Sequence, residues 1–544
     1  MHHGSDPGGT PISGRRPVLW DLGVALSLAN VCWLPVWAAL LNANNWYYVR
    51  CSPHWRSLAT AGLGLAGSTL AIWLARSAAR LVGGRVATTI GDTVFVVLVA
   101  LACNALRLQL RSLALDSIRA ALGIGGVAAA LVLFALLPIA LYRWRALLVP
   151  LAEKGLVCLL PFVGVVAFQA ASLAYRSVSG TACGLELSDA APGRPVAPRV
   201  DGGYRVLWVV FDDLDYELVY ARRPEGLALP AFDALRRSSV FAEEAYPPAS
   251  NTTCSLPALI VGRGVARAQR SGPAELRLRF DDGQTGRWSQ QTTVFDRARA
   301  LGVASALIGW YHPYCRIFGS RLAKCQWFQY LANPPGSWPM GGRAQLDLLI
   351  NSLPGCFRLG LAQRTGLTDS RVVVRRAWHV ALYKRLHREA LASLRRPELG
   401  LIFAHYSIPH PPYVYDRAQR RFTVETAGTY EGNLDLADQT LAEIGHALDE
   451  SGLADRTVLI VTSDHWHRHV RPAEPEEPEV EVGRPDQRVP FMVRLPRQNT
   501  GLAVSSVFRT TRTASLVLSM LRARSLAPDE IAAWMRAFAD AGAD

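Results

Sequence analysis

Residues 205–215 read Arg-Val-Leu-Trp-Val-Val-Phe-Asp-Asp-Leu-Asp, an unbroken apolar run that ends in carboxylates. A continuous rather than alternating run of β-branched and aromatic residues is the pattern of a strand buried on both faces, as in a parallel sheet. In open α/β sheets, ligands bind just beyond the carboxyl ends of the strands. Asp212, Asp213 and Asp215 stand at that end. Adjacent carboxylates leaving a buried strand repel one another unless a cation lies near them, and a divalent ion suits oxygen ligands. Taken alone, the pair reads equally well as exposed turn or N-cap residues.

Similar short runs recur downstream at Val303–Ile308, Leu399–Ala404 and Thr457–Thr462, with helix-like stretches at Phe232–Arg237 and Gly432–Ser451 between them. Such alternation predicts an α/β domain built on a mostly parallel sheet. Polar clusters follow the strands. Ser463-Asp464-His465 succeeds Thr457–Thr462 and offers one oxygen and one nitrogen ligand, a frequent zinc or manganese pairing. His405 and His410 flank Tyr-Ser-Ile-Pro and are followed by two more prolines, so they are expected on a stiff loop rather than one helix. A fourth cluster, Ser250-Asn251-Thr252-Thr253-Cys254-Ser255, leads into the apolar stretch Leu256–Val261. This is an ordinary N-cap pattern. It is also the placement a nucleophile needs, because a helix N-terminus favours an incoming anion and a divalent ion lowers the pKa of a bound hydroxyl.

Upstream the composition changes. The chain has 544 residues, is 50% hydrophobic and carries a net charge of +14. Apolar residues concentrate before Tyr175 in five runs, Pro17–Leu41, Ser57–Ala75, Ala87–Leu106, Ile118–Tyr142 and Leu147–Tyr175. Each is near the roughly 20 residues that span a bilayer core. The first reads as an uncleaved anchor, with Trp46, Tyr47 and Tyr48 as an interfacial belt. The reading is therefore an all-α transmembrane bundle over 1–175, a Ser/Gly/Ala/Pro-rich linker over 176–204 and a catalytic domain over 205–544. Arg15, Arg16, Arg76, Arg80, Arg85, Arg143, Arg145 and Lys154 fall on one side, and Arg50, Arg56, Arg107, Arg111 and Arg119 on the other. The larger set is placed inside, which puts the catalytic domain outside the cytoplasm. Scattered arginines flanking apolar runs fit a membrane protein better than a nucleic-acid binder. The nine cysteines contain no Cys-x-x-Cys pair, which argues against a zinc ribbon. Cys315 and Cys325 are candidates for a disulfide if their domain is extracytoplasmic. The acidic, Pro-rich run Glu474–Glu481 reads as a solvated loop.

Together these residues resemble the alkaline phosphatase/sulfatase-like superfamily. Asp212-Asp213-Leu214 resembles the first metal motif of sulfatases, and Ser463-Asp464-His465 the late metal motif. Thr252 to Arg263 resembles the nucleophile helix that ends in Gly-Arg, and Arg488–Pro496 the strand after the last motif. Two departures set the chain apart from true sulfatases. Cys254 is followed by Ser-Leu-Pro-Ala, which lacks the context for conversion to formylglycine. Gly309-Trp310-Tyr311-His312 stands where sulfatases carry Gly-Lys-Trp-His. The chain looks closer to the membrane-anchored phosphotransferases, the lipid A phosphoethanolamine transferases and lipoteichoic acid synthases, which have five membrane helices and a Thr nucleophile.

The resemblance implies Thr252 as nucleophile and metal ligand, with Asp212, Asp213, Asp464 and His465 completing a site for one or two divalent ions. Zinc or manganese is the first choice; calcium and magnesium are the alternatives. His405 and His410 would contact the transferred phosphate, a second metal or the leaving group. His312, His467 and Asn251 would line the substrate cleft, with His469 beside them. Thr253, Ser255 and Cys254 are rival nucleophiles. The implied reaction moves a phosphoethanolamine- or phosphoglycerol-type headgroup from a membrane lipid donor to a glycan or glycolipid acceptor, on the periplasmic side of the inner membrane. A phosphodiesterase or sulfatase using the same site is the main alternative, and a decayed, non-catalytic domain the remote one.

Overall fold

The computed structural model describes residues 18–41, 55–109, 143–178, 188–191, 203–271, 274–330, 342–351, 370–424, 426, 428–468 and 482–537. The chain divides into two compact units, one of Met1–Asn44, Cys51–Gly184 and Pro335–Ser370, the other of Asn45–Arg50, Leu185–Pro334 and Arg371–Asp544.

The first unit is helical. Among the described residues, three helices, Trp55–Val82, Gly84–Arg107 and Arg145–Val178, are long and apolar enough to cross a membrane, and the pair Val18–Cys32 and Leu34–Leu41, bent by 60°, makes a fourth if it is one span. The expected span Ile118–Tyr142 lies outside the described residues. The helix from Trp55 runs past the expected end at Ala75 because its last turns find partners: Arg76 pairs with Glu153 and Arg80 with Asp21. Charges among apolar helices persist when they are paired. A short helix from far later in the sequence, Gly342–Asn351, belongs to this unit. Its Leu348 packs with Trp33, Val36, Leu58 and Leu173, and Gln345 Nε2 donates to Ser57 O at 2.9 Å. The expected boundary at residue 175 left this helix in the catalytic domain, since a ten-residue amphipathic pattern looks like any surface helix.

The second unit is built on a nine-stranded mixed sheet. Its strands are β1 (Ser188–Ala191), β2 (Arg205–Asp212), β3 (Val240–Ala242), β7 (Ser305–Trp310), β8 (Lys324–Phe328), β9 (Leu401–Pro409), β10 (Thr457–Ser463), β11 (Phe491–Arg494) and β12 (Leu502–Val504). The numbers between belong to a separate ribbon of β4 (Val265–Arg270), β5 (Leu276–Phe280) and β6 (Thr285–Arg287). The sheet order is β1-β8-β7-β9-β2-β10-β11-β3-β12. From β8 through β10 every neighbouring pair is parallel, and β11 returns antiparallel against β10. β1 lies within the expected linker and pairs antiparallel with β8 at the sheet edge.

β2 is fully buried along its length, with Trp208 set edge-on to Phe403 of β9 at 5.0 Å. Burying each large apolar side chain there stabilises the sheet by roughly 1.5–3 kcal/mol, an upper bound. Arg205 opens the same strand and is 2% exposed. It is tolerated because its guanidinium donates to Leu394 O, Arg396 O, Leu399 O and Thr457 Oγ1. A long helix, Tyr430–Glu450, covers the sheet next to β9, close to the stretch expected from sequence.

Candidate functional site

β7, β9, β2 and β10 are consecutive and parallel, so their carboxyl ends open on one edge of the sheet. Each of the sequence clusters leaves from one of them: His312 after β7, His405 and His410 within and after β9, Asp212 and Asp213 at the end of β2, Asp464 and His465 after β10. The fourth, Thr252, begins the helix Thr252–Val261. Asn251 is its N-cap, accepting from Cys254 N at 3.0 Å, and Ser255 Oγ donates to Ala249 O at 3.0 Å. Gly262 ends the helix at φ 77°, a left-handed conformation that glycine adopts without strain.

Thr252 Oγ1 lies 3.3 Å from Asp212 Oδ2 and 3.2 Å from His465 Nε2. His465 Nδ1 is 2.9 Å from the carbonyl of Trp466. A carbonyl only accepts, so Nδ1 carries the proton and Nε2 turns its lone pair toward Thr252. Asp212 Oδ1 and Asp464 Oδ2 stand 3.6 and 3.5 Å from the same Nε2. Asp464 Oδ1 is held by the backbone N–H groups of Asp213 and His465. Burial, and then the neighbouring Asp212, push the Asp464 carboxyl well above the usual carboxylate range.

These residues fit a divalent metal. Asp212, Asp464 and His465 offer ligand atoms that all lie within 4.8 Å of one another. All three are fully buried. Asp464 Oδ2 and His405 Nε2 are buried without a hydrogen-bond partner. Carboxylate oxygen with imidazole nitrogen is a zinc- or manganese-type donor set. The carbonyl behind His465 is the outer-shell contact that fixes a ligating imidazole.

The other candidates fall around this centre in distinct ways. Asp213, at φ 72°, lies on the Nδ1 side of His465, 3.5 Å from it, with its second oxygen 3.1 Å from His467 Nδ1. His467 stacks on Tyr430 at 3.8 Å and donates its backbone N–H to Asp215. His405 Nε2 is 3.5 Å from Asp212 Oδ2, and its Nδ1 is 3.1 Å from Tyr314 Oη. Burial lowers its pKa to about 4. His405 is on β9 itself, not on the stiff loop expected for it, because the strand continues to Pro409. Opposite it stands Gly309, where a Cβ would come 2.7 Å from the Tyr314 ring. His410 follows the strand; its N–H donates to Asp212 O at 3.0 Å, and its ring packs against Trp310 and Tyr330. His312 is fully buried, with its pKa lowered to about 3 by desolvation. Its Nε2 meets Thr252 O at 3.1 Å, so its ring nitrogen holds the backbone of the nucleophile position. His469 and the acidic run Glu474–Glu481 lie outside the described residues.

Sequence reasoning missed several supports. Tyr430 Oη donates to Asp213 O at 2.7 Å and accepts from Asp215 N at 3.2 Å. Ser463 Oγ accepts from Leu214 N and tethers the two strand ends. Tyr311, at φ 71°, brings its hydroxyl 2.9 Å from Thr253 Oγ1. Nothing in local sequence pattern marks Tyr430, which is a first-turn residue of an unremarkable helix 217 positions from its partner. Cys315 and Cys325 form a disulfide.

Residues 205–517 match the sulfatase family model. A search of curated proteins finds no match. Similar solved structures include Ps i-CgsB (16% identity, 60% of this chain and 73% of that one, TM-score 0.39). Another is the PsFucS1 sulfatase from Pseudoalteromonas sp. (15% identity, 60% and 69%, TM-score 0.39). A third is a phosphonate monoester hydrolase of Agrobacterium radiobacter (13% identity, 58% and 73%, TM-score 0.36). With the strand-end carboxylates, the hydroxyl at the helix start and the family match all falling within one stretch of sequence, the chain belongs to the sulfatase family, within the alkaline phosphatase/sulfatase superfamily of metal-dependent enzymes.

Proposed function

We propose that this protein is a membrane-bound, metal-dependent phosphotransferase that moves a phospho-headgroup, of the phosphoethanolamine or phosphoglycerol type, from a phospholipid to a hydroxyl of a glycan or glycolipid. The observation that carries the reading is a threonine hydroxyl, not a formylglycine precursor, set 3.2–3.3 Å from a metal-type carboxylate and imidazole cluster. The apolar helices of the first unit support a lipid donor, because they keep the catalytic unit with a bilayer. The Cys315–Cys325 disulfide supports an extracytoplasmic, periplasmic setting.

Asp212, Asp464 and His465, with Thr252, would hold the ion, and a divalent cation there would stabilise the threonine alkoxide and the charge on the phosphoryl oxygens. His312 fixes the backbone of Thr252, and the free N–H groups at the helix start face an incoming anion. Thr252 Oγ1 attacks phosphorus, the bond to the diacylglycerol oxygen breaks, and a phosphothreonine forms. Thr252 gives up its proton on becoming the alkoxide, the leaving oxygen takes a proton from His410, and His410 recovers one from the acceptor hydroxyl in the second step. An acceptor hydroxyl then displaces the threonine and restores it.

The test is intact-mass analysis of the purified chain after incubation with donor lipid. Wild type should gain the mass of the transferred group, and Thr252→Ala should neither gain it nor turn over while keeping its metal. A metal-loaded Thr252→Ala that still transfers would overturn the assignment. A second reading, supported by membership of a family of hydrolases, has water as the acceptor with the same residues. Release of free phospho-headgroup at the same rate with and without acceptor glycan would favour it.

A further inference from the structure

The helix that begins at Thr252 passes through Gly262 and leads within three residues into β4 of the three-stranded ribbon. The ribbon has two unlike faces. Leu276, Leu278 and Phe280 point inward and are at most 2% exposed, within the main core. The alternate positions point to solvent: Arg267, Gln269, Arg277, Arg279, Thr285 and Arg287. The register sets Arg267 directly opposite Arg279 and Arg277 directly opposite Arg287. Like charges directly across a ladder destabilise a sheet. Among the described residues no carboxylate is in ion-pair range of Arg277, Arg279 or Arg287; the nearby Asp282 is engaged by Arg263. Glu275 and Asp281 bracket this face along the strand, Glu275 held by Ser289, and neither is in ion-pair range of Arg277, Arg279 or Arg287. Arg277 directly across from Arg287 is unfavourable in water and becomes favourable against an array of anions.

We infer that this arginine face of residues 265–287 docks on the headgroup layer of an anionic bilayer. The same chain carries the apolar helices that keep it at a membrane, so a face of modest affinity acts at high effective concentration. Guanidinium groups spread over three paired strands suit a surface of many phosphates better than a single flexible polyanion. Only three residues separate the ribbon from the nucleophile helix, so a docked ribbon keeps that helix near the bilayer surface. The inference does not depend on which group the enzyme transfers.

The test uses the full chain in nanodiscs of phosphatidylcholine alone or of phosphatidylcholine mixed with phosphatidylglycerol. Exposed arginines are modified with phenylglyoxal and located by mass spectrometry. Arg277, Arg279 and Arg287 should react about fivefold more slowly in the anionic discs, and high salt should remove the difference. Arg497, with a side chain 77% exposed, is the control whose rate stays unchanged. The double variant Arg277→Gln, Arg279→Gln should lose the protection at Arg287. Equal rates in the two discs would overturn the inference. So would protection by a soluble anionic glycan in neutral discs without protection by anionic lipid, which would make the occupant a carbohydrate.

Discussion

Tyr430→Phe isolates one hydroxyl at the base of the metal-type cluster. The aromatic ring remains and keeps its stack on His467, 3.8 Å away. What is lost is one donor to Asp213 O and one acceptor for Asp215 N, at 2.7 and 3.2 Å, both in a buried turn. That turn holds Asp213 at φ 72°, a conformation disfavoured for a residue with a Cβ by roughly 1–2 kcal/mol. Each hydrogen bond contributes about 1 kcal/mol net, and a buried donor left unsatisfied costs about 1 more, so the turn loses roughly 3 kcal/mol. The turn joins Asp212 to the backbone N–H that holds Asp464. If the loss is felt wholly in metal affinity, it weakens binding about a hundredfold. Competition with a chelating dye on the purified full chain measures this, and a thermal melt without metal measures what is felt in folding instead. A variant whose affinity stays within about threefold of wild type, with an unchanged melt, would refute the claim that Tyr430 sets the turn.

Two further outcomes follow from the second unit. Replacing Cys315 and Cys325 together by Ser opens a loop of sequence separation 10, which should lower stability by about 2–3 kcal/mol on the chain-entropy account. The denaturant midpoint should fall, and it should match wild type kept in reductant. Asp438 accepts from Phe232 N at 2.9 Å, and burial raises its pKa to about 6. Because the folded state binds this proton more tightly than the unfolded one, the stability it contributes is present below the ordinary carboxylate pKa and lost as pH rises through about 6. Asp438→Asn, which keeps an acceptor oxygen, should therefore be more stable than wild type at pH 8 by about 1 kcal/mol after discounting for solvent screening, and equal to it at pH 4. A gain at pH 4 as large as that at pH 8 would contradict this.

The strands that carry the site were legible because burial on both faces writes itself as a run of apolar residues. Arg205–Phe211 and Thr457–Thr462 were read to within a residue of β2 and β10. The ligands were legible because they sit where such runs stop. The apolar pattern ends β9 at Ala404, since polar His405 and Ser407 look like the start of a loop. His405 stays in the strand because it finds Tyr314 and the space above Gly309. Tyr430 and His312 act through contacts with backbone atoms distant in sequence, which no local pattern records. Chain order places the helix Gly342–Asn351 with the catalytic region, because order alone says nothing of which core an amphipathic segment joins. The ribbon was missed because strong alternation between arginine and apolar residues in short strands is diluted by the turns between them.

The parallel ladder that joins β7, β9, β2 and β10 has a consequence for assembly. Side chains alternate along a strand, so a slip of β2 by one position against β9 or β10 would exchange the face of Phe211 for that of Asp212. A carboxylate would then enter oil and a phenyl ring would replace it among the ligands. The large indole of Trp208, fitted edge-on to Phe403, penalises that slip from several residues away. Apolar packing thus holds the alignment that places the ligands, and a core substitution at Trp208 would weaken the fold and the metal site together.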